Sequence, residues 1–306
     1  MSGNRKYLIV IAGPTGIGKT NVSIQLAQLL NCEIFSADAR QFYREMNIGT
    51  AKPTSKELAT VKHHFVNNLS IMDKYSVGDF EREVIVALTD YYKKHEVAIL
   101  VGGSGLFIKA VISGLDEFPE IDPEIRAKLN RMFQSEGIGV LQELLKEKDP
   151  DYYEVVDISN PRRLIRALEL CLQTGKKFTS FLGGAERKRD FEVIYIGLKM
   201  DREMLYQRID QRIDHMMENG LLDEAKNLKE HENRNAMQAV GYKELFGHLN
   251  GEMRLEEAVE LIKRNSRRYA KRQFTWFNKI ENMNWFDPQD VDLIIRYAKE
   301  KMSGAV

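Results

Sequence analysis

Apolar and polar positions along the chain follow two rhythms. Near the start, Tyr7-Leu8-Ile9-Val10-Ile11-Ala12 is a continuous apolar run that stops at Gly13, the pattern of a strand buried on both faces of a parallel sheet. Helical spacing follows over Lys19–Leu30. Residues 32–37 read as a second strand and residues 78–94 as an amphipathic helix. Val97-Ala98-Ile99-Leu100-Val101 reads as a third strand, ending at Gly102-Gly103-Ser104-Gly105. Strand and helix alternate, which predicts an α/β core with a parallel sheet flanked by helices.

The rhythm changes at Glu117-Phe118-Pro119-Glu120-Ile121-Asp122-Pro123, where two prolines punctuate the chain and Pro123 is placed to open a helix. Helical spacing continues over residues 141–146 and 161–173, then stops at Gly175 and a loop with Gly183-Gly184. Residues 117–187 are therefore expected to form an inserted helical domain. Residues 191–198 return to strand character and residues 202–279 are mainly helical, so residues 1–116 and 188–306 make up the core. The sequence carries no internal repeat and no low-complexity tract.

Composition narrows this picture. The 306 residues, 43% hydrophobic and 29% charged, suffice for a substantial core. Forty-five basic and 45 acidic side chains give a formal net charge of zero, so any polyanionic partner must be recognised locally. The two cysteines, Cys32 and Cys171, lack a C-x-x-C or Cys/His companion, which argues against zinc and a disulfide framework and for a reducing cytoplasm. No stretch approaches the ~20 apolar residues that span a bilayer, so neither a membrane nor a signal peptide is expected. The protein is expected to be a cytoplasmic monomer.

The chemistry begins at Gly13-Pro14-Thr15-Gly16-Ile17-Gly18-Lys19-Thr20. This is G-x-x-x-x-G-K-[ST] between a predicted strand and a predicted helix, a P-loop in its required context. Its backbone N–H groups cradle phosphate, Lys19 adds a charge, and Thr20 offers a hydroxyl to Mg²⁺. A di- or triphosphate ligand, including a nucleotide, follows. The core is thus P-loop NTPase-like, yet the third strand runs into glycines where a Walker-B acid would stand. That favours diphosphate as a leaving group over its hydrolysis. Asp38, in Ser36-Ala37-Asp38-Ala39-Arg40-Gln41, follows the second strand, at the carboxyl ends where ligands bind. An aspartate there serves either as a base or as a turn or helix cap.

The ordered set formed by the P-loop, Ser36-Ala37-Asp38, Ile48-Gly49-Thr50-Ala51-Lys52-Pro53, His63-His64-Phe65 and Val101-Gly102-Gly103-Ser104-Gly105 resembles the bacterial tRNA dimethylallyltransferases of the IPP transferase family. Pro161-Arg162-Arg163-Leu164-Ile165-Arg166-Ala167-Leu168-Glu169 resembles that family's insertion signature, and Ala239-Val240-Gly241-Tyr242 and Ala270-Lys271-Arg272-Gln273-Phe274-Thr275-Trp276 its C-terminal ones. The resemblance implies transfer of a dimethylallyl group from dimethylallyl diphosphate to the exocyclic amine of the adenosine beside the anticodon. The two substrates would meet in a channel. Asp38 would accept the proton of the poorly nucleophilic amine, with Ser104 beside it. Arg212, or Arg208 as second choice, would stabilise the departing diphosphate. Two departures stand out: Ala39 replaces the family's usual serine and Ser104 its usual threonine. The zinc finger of eukaryotic relatives is absent.

RNA would meet two basic clusters. Residues 262–279 hold Lys263, Arg264, Arg267, Arg268, Lys271, Arg272 and Lys279 without an acid, interleaved with Tyr269, Phe274, Trp276 and Phe277. Cations neutralise phosphates and aromatics stack on unpaired bases, although a solvated basic face over a buried aromatic stripe has the same pattern. Arg268 and Arg272 are the candidate contacts in this stretch; the resemblance points to Arg126, Arg162, Arg163 and Arg166 in the insertion, and Asp38, Ala39, Arg40, Gln41 and Ser104 are expected around the anticodon stem-loop of the tRNA. His63-His64 reads as a packing element. Three rivals remain: a P-loop nucleotide kinase, a prenyltransferase for free adenine nucleotides, and a nucleotide-dependent RNA-binding switch.

Overall fold

In chain order the described residues of this computed structural model, 5–184 and 187–304, form β1 (Tyr7–Ala12), α1 (Lys19–Leu30), β2 (Ile34–Ser36), α2 (Ser55–Thr60), β3 (His63–His64), α3 (Val77–Tyr91), β4 (Val97–Gly102), α4 (Gly105–Ser113), α5 (Pro123–Glu136), α6 (Ile138–Lys148), α7 (Pro150–Val155), α8 (Pro161–Thr174), β5 (Glu192–Leu198), α9 (Arg202–Glu218), α10 (Leu221–Asn227), α11 (Tyr242–Leu249), α12 (Leu255–Phe277), β6 (Asn284–Phe286) and α13 (Val291–Ser303). They fall into two compact units, one of residues 5–113 with 188–304 and one of Gly114–Arg187.

The first unit is built on a six-stranded sheet in the order β3-β2-β4-β1-β5-β6, with every pairing parallel. The apolar run of β1 has no exposed position because alternate residues enter different cores. Tyr7, Ile9 and Ile11 pack with Val22 and Leu26 of α1 and with Ile209 and Ile213 of α9. Leu8, Val10 and Ala12 pack with Phe80, Val84 and Leu88 of α3 and with Ile108 and Val111 of α4. Both faces of the sheet are thereby covered.

β2 is shorter than the apolar pattern over 32–37. The chain leaves α1 through a left-handed Asn31, and the Cys32 N–H bonds back to the Ala27 carbonyl, so Cys32 belongs to the helix end. α3 starts at Val77, set by a capping box in which Ser76 and Asp79 each accept the other's backbone N–H. β3 and β6, two and three residues long, show no periodicity to read. His64 of β3 stacks on Phe35 at 4.3 Å between ring centroids, a packing role.

The second unit is helical, α5 to α8 around Leu129, Leu141, Leu145, Leu164 and Leu168. Asp122 with Pro123 opens α5, and Asn160 with Pro161 opens α8, which closes on a left-handed Gly175. Buried Asp149 accepts the Tyr152 N–H at 3.1 Å and the Thr179 N–H at 2.8 Å, tying α7 to the segment after α8.

Candidate active site

Three loops meet at the carboxyl ends of the neighbouring strands β2, β4 and β1: residues 37–41, 102–105 and 13–20. In the P-loop, Gly16 and Gly18 have φ of 80° and 109°, the left-handed region that favours glycine. A Cβ on Gly16 would also stand 2.9 Å from Ile209 of α9. The Lys19 ammonium donates to the Gly13 and Pro14 carbonyls at 3.0 and 2.9 Å.

Burial lowers Lys19 to about 8, Asp38 opposes that shift and Arg212 reinforces it. The charged form binds anions, so affinity for a diphosphate is expected to fall as pH rises through about 8. Calorimetric titration of wild type and Lys19→Met with inorganic diphosphate checks this, because the step belongs to the difference between the two. The same depression adds stability as pH rises from about 8 toward the ordinary 10.5, where the unfolded chain still holds the proton.

The glycines after β4 answer to close approaches. A Cβ on Gly102 would overlap the Ala37 carbonyl, one on Gly103 would overlap the Gln273 side-chain nitrogen, and one on Gly105 would overlap the Trp276 ring. Gln273, buried on α12, donates to the Gly103 carbonyl at 2.8 Å and accepts the Thr15 N–H at 2.8 Å. One side chain thus clasps the P-loop to the glycine turn. Sequence reading singles out the segment around Gln273 but not this role.

Asp38 Oδ1 accepts the Arg40 N–H at 3.0 Å. With Lys19, Thr20, Ser23, Ser36, Gln41, Pro53, His63, Val101 and Gly102 it lines a small pocket of about 40 Å³. His63 has its Nδ1 on the Val61 carbonyl at 2.8 Å, and burial lowers its pKa. The Ala39 N–H donates to Ser104 Oγ at 3.4 Å. Tyr269 of α12 lies in the field of this site: desolvation followed by the charge of Asp38 raises its pKa. Its 36% exposed ring has the Arg272 guanidinium 5.8 Å away. Tyr269, offered by the sequence as one of four base-stacking aromatics, is thus the one coupled to Asp38. The Gln41 amide is engaged with the Thr50 and Ala51 carbonyls at 3.4 and 3.2 Å.

α9 presents three stripes of i,i+4 pairs. Ile209 and Ile213 enter the core. Asp210 takes Arg267 of α12 through two contacts of 2.6 Å, and Asp214 takes Lys263 at 2.7 Å. The third stripe carries Arg208 and Arg212. Desolvation lowers the Arg212 pKa, opposed by Asp38, so Arg212 shares the field of Lys19 and Asp38. Arg208 is exposed and lines a separate outer pocket of about 430 Å³ with Gly18, Asn21 and Gln25.

The basic stretch of α12 divides. Lys263 and Arg267 are neutralised by α9 acids that the local sequence does not contain, whereas Arg264, Arg268, Lys271 and Arg272 are exposed. Phe277 is buried and Phe274 packs against Trp285 at 5.9 Å, leaving Tyr269 and Trp276 as the accessible aromatics at 36% and 41%. In the second unit, buried Glu169 accepts from Arg126 Nε and Nη2 and lies 3.5 Å from Arg166, which stands over the Phe118 ring. Arg162 and Arg163 are exposed.

A site with a phosphate cradle, an aspartate, a seryl hydroxyl and a desolvated arginine suits displacement of a diphosphate by a nucleophile whose proton is accepted locally. The profile of the IPP transferase family matches residues 41–280. The tRNA dimethylallyltransferase of Christiangramia forsetii is 53% identical over 92% of this chain and 93% of its own. The crystal structure of full-length tRNA isopentenylpyrophosphate transferase from Bacillus halodurans is 37% identical, covers 98% of each chain and superposes with a TM-score of 0.74. A eukaryotic dimethylallyltransferase acting on tRNA is 29% identical over 97% of this chain and 77% of its own, with a TM-score of 0.78.

Proposed function

Because this chain belongs to the IPP transferase family, we propose that it transfers a dimethylallyl group from dimethylallyl diphosphate to the exocyclic amine of the adenosine beside the anticodon of tRNA, releasing diphosphate. The observation that carries the reading is the convergence of Lys19, Thr20, Asp38 and Ser104 on adjacent strand ends, with the desolvated Arg212 in the same field.

The amine nitrogen bonds to the first carbon of the prenyl group while the carbon–oxygen bond breaks and its electron pair leaves with the diphosphate. Asp38 accepts the amine proton, a needed step because the ring delocalises the nitrogen lone pair. Ser104, which accepts the Ala39 N–H, is the polar group beside the acceptor. Lys19 and Arg212 face the charge that grows on the leaving group, an interaction strongest in the transition state.

Among the described residues no group of three His, Cys, Asp or Glu side chains is placed to hold a metal. The oxygen donors at the cradle, Thr20 and Asp38 on one pocket, suit Mg²⁺ taken up with the diphosphate. Thr20 would hold it, and when bound the ion neutralises diphosphate charge.

The exposed arginines, Arg268 and Arg272 on α12 and Arg162 and Arg163 on α8, are the phosphate contacts of this reading. Arg126 and Arg166 join them with part of their donor capacity committed to Glu169. If they act so, log affinity for tRNA falls linearly with log salt, and Arg268→Ala with Arg272→Ala reduces the slope by roughly one unit per contact. A filter-binding series with a flat salt response removes these residues from the RNA interface.

The deciding experiment supplies the protein with Mg²⁺, labelled dimethylallyl diphosphate and either unmodified tRNA or free adenine nucleotides, followed by nucleoside mass analysis. Prenylated adenosine from tRNA alone is the expected result. Label on free nucleotide, or phosphorylation with no transfer, overturns it.

A further inference from the structure

We infer that Glu224 is a positioning residue for the pocket wall that carries Gln41 and Pro53, a role that rests on the transferase reading above. Glu224 projects from α10 to the loop before α2, where its Oε2 accepts the N–H groups of Asn47 and Ile48 at 2.9 Å each. Its Oε1 accepts the Gly49 N–H at 3.0 Å and the Tyr242 hydroxyl at 2.6 Å. Three successive backbone N–H groups on one carboxylate form an anion nest filled from within the protein. Gly49 is required because a Cβ there would stand 2.6 Å from the Tyr242 ring.

The nest joins two sequence motifs that the reaction chemistry leaves unused, Ile48-Gly49-Thr50-Ala51-Lys52-Pro53 and Ala239-Val240-Gly241-Tyr242. Its consequence reaches the pocket through the loop. Thr50 Oγ1 bonds the Met46 carbonyl at 2.8 Å, and Lys52 reaches the Tyr43 carbonyl at 2.7 Å and Asn67 Oδ1 at 2.6 Å. Ala51 is held at a φ of 45°, a conformation that persists only where the surroundings over-determine it. The Thr50 and Ala51 carbonyls then receive the Gln41 amide, whose oxygen accepts from Ser36 at 3.4 Å. Gln41 and Pro53 line the pocket beside Asp38 and Thr20. A continuous path of hydrogen bonds runs from Tyr242 through Glu224 and the loop to the wall of the reacting pocket.

Glu224→Gln tests the role. Its amide keeps one oxygen and turns N–H donors toward backbone N–H groups, so it cannot fill the nest. The expected result is a roughly 10-fold or larger fall in kcat, counted per site able to bind tRNA, with affinities for tRNA and inorganic diphosphate within about twofold of wild type. Hydrogen exchange at the amides of residues 47–49 accelerates in parallel. Tyr242→Phe keeps the three backbone bonds and should lose about 2–5-fold in kcat. It decides the question alone if Glu224→Gln does not fold.

Wild-type kcat in the folded variants overturns the role. So does a loss fully accounted for by fewer tRNA-binding sites, which marks Glu224 as structural only. No transfer to tRNA by wild type overturns the transferase reading and this role with it, whereas an active wild type with indifferent variants overturns this role alone.

Discussion

The Asp38→Asn protein is expected to transfer the prenyl group about three orders of magnitude more slowly than wild type, at saturating donor, while its tRNA titration stays near the wild-type curve. Asparagine keeps the shape of the side chain and an oxygen that accepts the Arg40 N–H, so the 37–41 loop stays capped. What disappears is a carboxylate able to take the amine proton. Saturating donor is essential, because the charge of Asp38 also favours the protonated form of Lys19. Without it, Lys19 drops below about 8 and donor affinity weakens near neutral pH, which would imitate a chemical defect at low donor concentration. Single-turnover transfer measured by nucleoside mass analysis separates the two effects. A wild-type rate in Asp38→Asn would mean that Asp38 only caps its loop, the alternative that the sequence leaves open.

Local periodicity carries most of the fold. The limits of β1 and α1 coincide with the apolar run and the helical spacing, and the Pro123, Pro161 and Gly175 signals stand at helix ends. Two elements escape it for a physical reason: β3 and β6, sheet edges paired with β2 and β5, are two and three residues long, too short to show a period. The α/β core, the parallel sheet and its P-loop were legible because each motif lies within one strand–loop–helix segment.

The site divides along the same line. Residues 13–20, Asp38 and Ser104 announce themselves because the chemistry requires certain residue types next to strand ends. Gln273 and Glu224 do not, since their partners are far away in sequence: Gln273 meets Thr15 across 258 positions and Gly103 across 170. The basic stretch on α12 misleads in the same way. Its local excess of charge is real, yet Asp210 and Asp214 neutralise part of it from another helix. Unpartnered cations can be identified only once α9 and α12 are paired in space.

That pairing also separates the two arginines that sequence reading left as alternatives. Replacing Arg212 by methionine is expected to lower kcat by roughly 10²–10³ at saturating substrates, whereas Arg208→Met should change it by less than about threefold. Both side chains lie on one stripe of α9, a single turn apart, but they meet different surroundings. Arg212 is desolvated and coupled to Lys19 and Asp38, so under the proposed reaction its charge would face the departing diphosphate with little reorganisation. Arg208 is exposed at the outer pocket beside Gly18, where solvent screens it. Methionine preserves the aliphatic bulk against neighbouring side chains, so the comparison isolates charge. Inorganic diphosphate titrations provide the second axis. Arg212→Met should lose more in kcat than in diphosphate affinity, because its contribution grows with the leaving charge. A larger kcat loss in Arg208→Met would reverse the assignment and place the departing diphosphate on the outer side of the P-loop.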